Sequence, residues 1–380
     1  MTLLAACVLQ VAATAQLVDE DALRRIDLPE RPGMIAGITP VGDGRMLALS
    51  MSKGGGVLLV DTATWTVARA LPTPGFHDGA RLAASTDGRF LHLAEQYRYA
   101  NLGRKDLKGR QVVLDLGTGA EVIAEDAAVD GVMDASGRYL ITLRGEEVTV
   151  QAIGSAGTRR TFNVPGATNA LAVTPDGRYL AVSHRPTEES LLTVPSVRND
   201  RKAIKSALKF RQMVSIHATE DGRLITTVAE IYDIIRAMAF SPAGDRLLVY
   251  STTDLKLAPD IGARPFDFNY VDQAGHVDQV AVQGWVPLRA SCMSRMSEPS
   301  LAVSPDGALL ALSSTEGRNK RKLQLYETAT GDTRLMIDLE QKHASDKGEG
   351  EQHDGRLAYC WTSDGRLLIG QGDHIGIYRP

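Results

Sequence analysis

Short apolar runs that alternate with polar residues and break at a tight turn recur along the whole chain. The clearest copy is LAVTPDGRYLAVSH, residues 171–184. Its flanks alternate with period two rather than recurring every three or four residues, which predicts two antiparallel strands. Thr174-Pro175-Asp176-Gly177 suits the turn between them. Proline presets φ, aspartate bonds back to the main chain, and glycine takes a positive φ at no steric cost. One such hairpin is marginal in water and must pack against others. Near-copies stand at residues 38–50, 82–94, 132–143, 238–251, 301–313 and 359–370.

The turn glycines of these copies are Gly44, Gly88, Gly137, Gly177, Gly244, Gly307 and Gly365, spaced 44, 49, 40, 67, 63 and 58 residues apart. A unit of roughly 40 to 50 residues is that of a propeller blade of about four strands. The longer gaps are too short for two blades and read as single blades with insertions. The second half of the unit is visible in GVLLVDTATW (56–65), RQVVLDLGTG (110–119) and KLQLYETATG (322–331), each an apolar strand, an acid and a Thr-rich turn. The expected fold is therefore all-β: seven blades of four antiparallel strands. The last unit ends after three strands at HIGIYRP, and ALRRIDL (22–28) precedes the first hairpin. The Arg25 region is therefore expected to be the outer strand of blade seven, closing the ring and covering an open sheet edge.

These repeats resemble the WD40-like and YVTN-type propellers common in bacteria, over nearly the full length past residue 30. No Trp-Asp pair closes any third strand, and Gly275-His276 is the sole Gly-His step. The resemblance therefore carries a fold and not the protein-binding mode of eukaryotic WD40 rings. It also implies one enzymatic alternative, since lactonase-like propellers place acids and a metal or histidine at the channel mouth.

The first fifteen residues are apolar and uncharged, and Ala13-Thr14-Ala15 has the small-x-small form of a signal-peptidase site. Export to the periplasm or medium is the expectation, with residues 16–380 as one propeller domain. The alternative is an apolar N-terminal segment on a cytoplasmic protein. A net charge of −4 argues against a general nucleic-acid binder, and no later stretch is long enough to span a membrane.

Strand order puts second-to-third and fourth-to-first connections on one face and the hairpin turns on the other. Six long segments, 95–110, 185–211, 252–264, 285–297, 317–322 and 341–355, are all assigned to the first face. Three of them, 95–110, 185–211 and 317–322, carry sixteen Lys and Arg against five Asp and Glu in a chain that is net acidic. Loops on a rigid scaffold are where binding resides. This basic rim, with Arg201, Lys202 and Lys205 at its centre, points to a protein or other polyanionic partner. Solvated loops are also commonly rich in Lys and Arg, and that reading stays open.

His77-Asp78 and His353-Asp354, each followed by glycine, recur before the first strands of blades two and seven. Imidazole and carboxylate there could serve a divalent metal or small ligand across the mouth. They are equally two uses of one Asp-Gly turn. Asp130, Asn169, Arg236 and Glu298 hold the corresponding positions of other blades and make the mouth polar and asymmetric. No nucleophile elbow, nucleotide loop or haem-attachment motif occurs, so no catalytic residue, metal or cofactor is assigned. Cys360 takes the place of a small inner-strand residue; Cys292 falls in an insertion before blade six. In an exported chain the two are either free or a disulfide.

Overall fold

The turn chemistry read from the sequence builds each blade. In the computed structural model, Ser85 Oγ donates to Asp87 Oδ1 at 2.6 Å and accepts the Phe90 N–H at 2.9 Å. Asp87 then accepts the Arg89 N–H at 3.0 Å. Thr174 and Asp176 repeat this at 2.6 Å, and Ser304 and Asp306 at 2.5 Å. Thr362 and Asp364 form the same pair in the last blade. Two blades permute the parts. Ser241 reaches past the glycine to Asp245, and in the third blade Asp134 holds the hydroxyl's position and accepts from Ser136. The first blade has Val41 there and relies on Asp43 alone. Every one of the seven turn glycines has φ between 68° and 84°, a left-handed conformation that disfavours any other residue.

The structure describes residues 16–19, 24–28, 33–52, 54–76, 79–95, 109–154, 158–252, 273–296, 300–316, 320–340 and 357–380. Two short strands, β1 (Gln16–Asp19) and β2 (Arg24–Asp27), come first. Blade one is β3 (Ile35–Val41), β4 (Met46–Met51), β5 (Gly56–Asp61) and β6 (Thr66–Leu71). Blade two is β7 (Ala80–Ala84), β8 (Phe90–Glu95), β9 (Gln111–Asp115) and β10 (Glu121–Glu125). Blade three is β11 (Asp130–Met133), β12 (Tyr139–Arg144), β13 (Glu147–Ala152) and β14 (Arg159–Asn163). Blade four is β15 (Thr168–Val173), β16 (Tyr179–His184), β17 (Gln212–Ala218) and β18 (Leu224–Tyr232), with α1 (Glu188–Leu192) and α2 (Arg201–Phe210) between its second and third strands. Blade five is β19 (Ile234–Phe240), β20 (Arg246–Thr252), β21 (Gln273–Ala281) and β22 (Val286–Met296). Blade six is β23 (Ala302–Val303), β24 (Leu309–Glu316), β25 (Lys320–Glu327) and β26 (Thr333–Glu340); blade seven is β27 (Ala358–Trp361), β28 (Leu367–Gln371) and β29 (His374–Tyr378).

Blade seven is completed by β2, which pairs antiparallel with β29 from Arg24↔Ile377 to Asp27↔His374. The N-terminal strand thus closes the ring, as the sequence predicts. Leu28, just beyond it, is 2 % exposed and packs with Leu368, Ile375 and Ile377 of blade seven and Leu47 and Leu49 of blade one. Each of the seven blade-to-blade interfaces carries its own apolar cluster. Phe90, Val113 and Ile123 meet Met133 and Leu140 between blades two and three; Leu248, Tyr250 and Val277 meet Leu310 and Leu312 between five and six. Among the described residues the core is therefore a ring of wedges rather than a single centre, and the blades bury their apolar surface in pairs.

Three features depart from the sequence reading. Residues 286–296 are not an insertion but the outer strand β22, running from the hairpin-turn face to the looped face. An outer strand has one unpaired edge, so it tolerates the Pro287, Arg289 and Ser291 that make it look like a loop. Lys320, Arg321 and Lys322 likewise belong to β25. Cys292, on β22, and Cys360, on β27, are free thiols on blades five and seven and do not form a disulfide. A strand the sequence did not announce, β1, adds to blade six in parallel with β26, Gln16↔Leu335 to Asp19↔Asp338. The apolar segment 1–15 and segment 341–355 lie outside the described residues, as do most of 95–110 and 252–264. Among the described residues no helix is long and apolar enough to cross a membrane.

Candidate functional site

The described insertion with structure of its own is 185–211, on the looped face of blade four. Thr187 and Ser190 form a capping box at the start of α1, at 3.2 and 2.9 Å. Asp200 caps α2 by accepting the Lys202 and Ala203 N–H groups at 2.8 and 3.1 Å. The helix sequence RKAIKSALKF has no glycine, no proline and a single β-branched residue, so nothing opposes it. At the far end Arg185 donates to the Lys209 carbonyl at 2.7 Å, and Arg211 pairs with Asp233. Ala207, half-buried Ile204 and Val197 pack on Leu191, Val194 and Met213, a small core separate from those between blades.

That packing turns the other side of α2 outward. At about 100° per residue, Arg201, Lys205, Lys209 and Lys202 fall within one arc of about 100°. All four are exposed, as is Arg198 before the helix. Among the described residues none of the five has an ion-pair partner. The propeller body differs. Arg81 pairs with Asp130, Arg89 with Asp115, Arg110 with Glu121 and Asp126, and Arg144 and Arg159 with Glu125. Of the described cations counted in the sequence, Arg110, Arg185, Arg211 and Lys322 thus have structural partners. Among the described residues of these segments the unpaired positive charge concentrates on α2, and Arg201, Lys202 and Lys205 are together on it.

Two of the described mouth residues, Asp130 and Asn169, are engaged between blades, and Arg236 is engaged within its own. Asp130 accepts Arg81 of blade two at 2.6 Å and the Leu171 N–H of blade four at 3.2 Å, so one carboxylate ties three inner strands. Asn169 Nδ2 donates to the Ile235 carbonyl of blade five. Arg236 donates to Thr252 at 2.9 Å. These inner strands stand at the edge of their sheets beside the channel, and the side chains form a polar hoop across blades two to five. His77, Asp78, Glu298, His353 and Asp354 lie outside the described residues. Among the described residues no three His, Cys, Asp or Glu side chains gather as a metal site.

One cluster escaped the sequence reading. His276 Nε2 is 3.0 Å from Asp278 Oδ2 and 3.4 Å from Ser251 Oγ. The signal was an H-x-D step, whose side chains share one strand face. Asp278, hydrogen-bonded to the ring, holds the His276 pKa above its ordinary value against the effect of burial. Serine and carboxylate converge on the same ring nitrogen, so this imidazole cannot relay a proton between them, and Ser251 is fully buried. The arrangement is a half-exposed ion pair beside a buried serine rather than a nucleophile and its base. His92 and His184, by contrast, are buried, and burial pushes both down, His92 to about 4.

No protein-family model matches the chain, and no curated protein matches it in sequence. Solved structures do. Hydrazine synthase of Kuenenia stuttgartiensis superimposes with a TM-score of 0.60 at 15 % identity, covering 93 % of this chain and 97 % of that one. The likeness is one of fold. At that identity it carries no residue correspondence, and α2 with its cations has to be read from its own chemistry.

Proposed function

We propose that this chain is a WD40-like, YVTN-type propeller that is exported and acts as a non-catalytic platform, docking a protein or other polyanionic partner through α2 on its looped face. The observation that carries the reading is the row of four exposed, unpaired cations on one helix of a net acidic protein whose body arginines are largely paired. Holding like charges together without counter-ions is unfavourable, and a partner's negative charges relieve it. A rigid ring below and a small core beneath the helix keep that face presented.

The test is retention on immobilised polyaspartate over a salt gradient, comparing the wild type with the double variant K202E/K205E. The wild type should be retained and released as salt rises, since exposed charges are screened within about 8 Å at physiological ionic strength. The double variant should elute in the unbound fraction while unfolding at the same temperature. Equal retention of both proteins would remove α2 from the proposal. Processing after Ala15 is checked by the N-terminal mass of protein recovered from the periplasm.

A further inference from the structure

We infer that the anionic partner of α2 is the headgroup layer of an acidic phospholipid bilayer, on whose surface the propeller rests by its looped face. This deepens the docking reading and depends on it. A second observation separates lipid from other polyanions. Six large apolar side chains are exposed among the described residues, and two of them, Leu192 at 53 % and Leu208 at 39 %, belong to this one insertion. On the helix wheel Leu208 lies about 20° from Arg201, on the flank of the cationic arc facing the half-buried Ile204. A wholly charged polyanion gains little from leucine at the edge of its contact, and the rim of a protein–protein contact is polar and solvated. A bilayer interface takes both groups: phosphates meet the ammonium and guanidinium heads, while the apolar edge sinks below them. The long Lys and Arg stems suit this, since their methylenes lie along apolar surface while the charge stays among the headgroups. The helix, ten residues and about 15 Å long, is anchored at both ends by Asp200 and Arg185. It would lie flat in the interface and not span it. The insertion's exposed acids on α1, Glu188 and Glu189, are confined to the first turn of that helix.

Flotation of the purified protein with vesicles tests this, using phosphatidylcholine alone and phosphatidylcholine mixed with phosphatidylglycerol. The protein should float with the mixed vesicles and remain below the neutral ones. Each basic residue near an anionic surface contributes about a fivefold change in affinity, so K202E/K205E should weaken binding about 25-fold or more. Leu208→Ser should weaken vesicle binding by about fourfold, the worth of a single buried methylene, and polyaspartate retention far less. Thermal unfolding of each variant confirms that the fold is intact. Polyaspartate retention without flotation would overturn the lipid assignment and leave the docking reading standing. Absence of both would end both. Vesicle binding that ignores Leu208→Ser would also overturn the lipid assignment and return the site to an acidic macromolecule.

Discussion

Ser85→Ala is the sharpest test of how the blades are held. The Ser85 hydroxyl is buried, at 1 % exposure, and does two things at once: it donates to Asp87 and it accepts the N–H of Phe90. Phe90 in turn packs in the cluster between blades two and three. Removing the oxygen orphans a buried main-chain donor, which costs about 1 to 3 kcal/mol. Asp87 is nearer the surface and recovers much of its lost partner from water, so the main-chain donor dominates and about 2 kcal/mol is expected at neutral pH. The loss also has a pH signature. The Ser85 hydroxyl is the first cause holding the Asp87 pKa below its ordinary value. A carboxylate with a lowered folded pKa adds stability above its unfolded pKa, and that stability disappears as pH falls through the folded value. In Ser85→Ala the depression is relieved, so the gap between wild type and variant should narrow as pH falls below the ordinary aspartate range. Urea unfolding at neutral and acid pH measures both quantities. Asp43→Asn in the one turn without a hydroxyl should change stability by less than about 0.5 kcal/mol. A loss below about 0.5 kcal/mol in Ser85→Ala, or one identical at both pH values, refutes the account.

Three further outcomes are expected. Leu28→Ala, at the seam closed by β2, should cost about 2 to 5 kcal/mol by urea unfolding, and a loss below 1 would show that the seam closes without it. Gly37→Ala places a Cβ 2.1 Å from the Ala80 carbonyl of the next blade and should cost several kcal/mol, whereas Gly54→Ala, with open space around it, should lose only about 1 to 2 for its left-handed φ. His92→Gln should flatten the pH dependence of stability: His92 is neutral in the fold down to about 4 but charges in the unfolded chain near 6.5, so stability falls as pH drops between those values. An unchanged slope in that window would mean another group titrates there.

The number of blades, their hairpins and the closing role of the Arg25 region were legible because they depend on short-range facts. Alternation over six residues and a Ser/Thr-x-Asp-Gly turn specify a hairpin wherever they occur, and even the permuted turns at Asp134 and Ser241 keep the same donor and acceptor count. A three-stranded last unit and an orphan first strand imply each other by the need to cover an edge. Only the tertiary structure decided which charges are free. Arg110, Arg185, Arg211 and Lys205 look alike in the chain, yet the first three find partners through backbone paths set by the ring, while α2 turns Lys205 outward because Ala207 and Ile204 need burial. The mouth residues are a second case. Asp130 meets Arg81 and Leu171 across 49 and 41 residues, and Asn169 meets Ile235 across 66, pairings that exist only once adjacent wedges stand side by side. The outer strand β22 and the parallel β1 complete the contrast. Pairing at a sheet's free edge demands so little of side chains that the chain carries no pattern for it, and the ring alone assigns them a place.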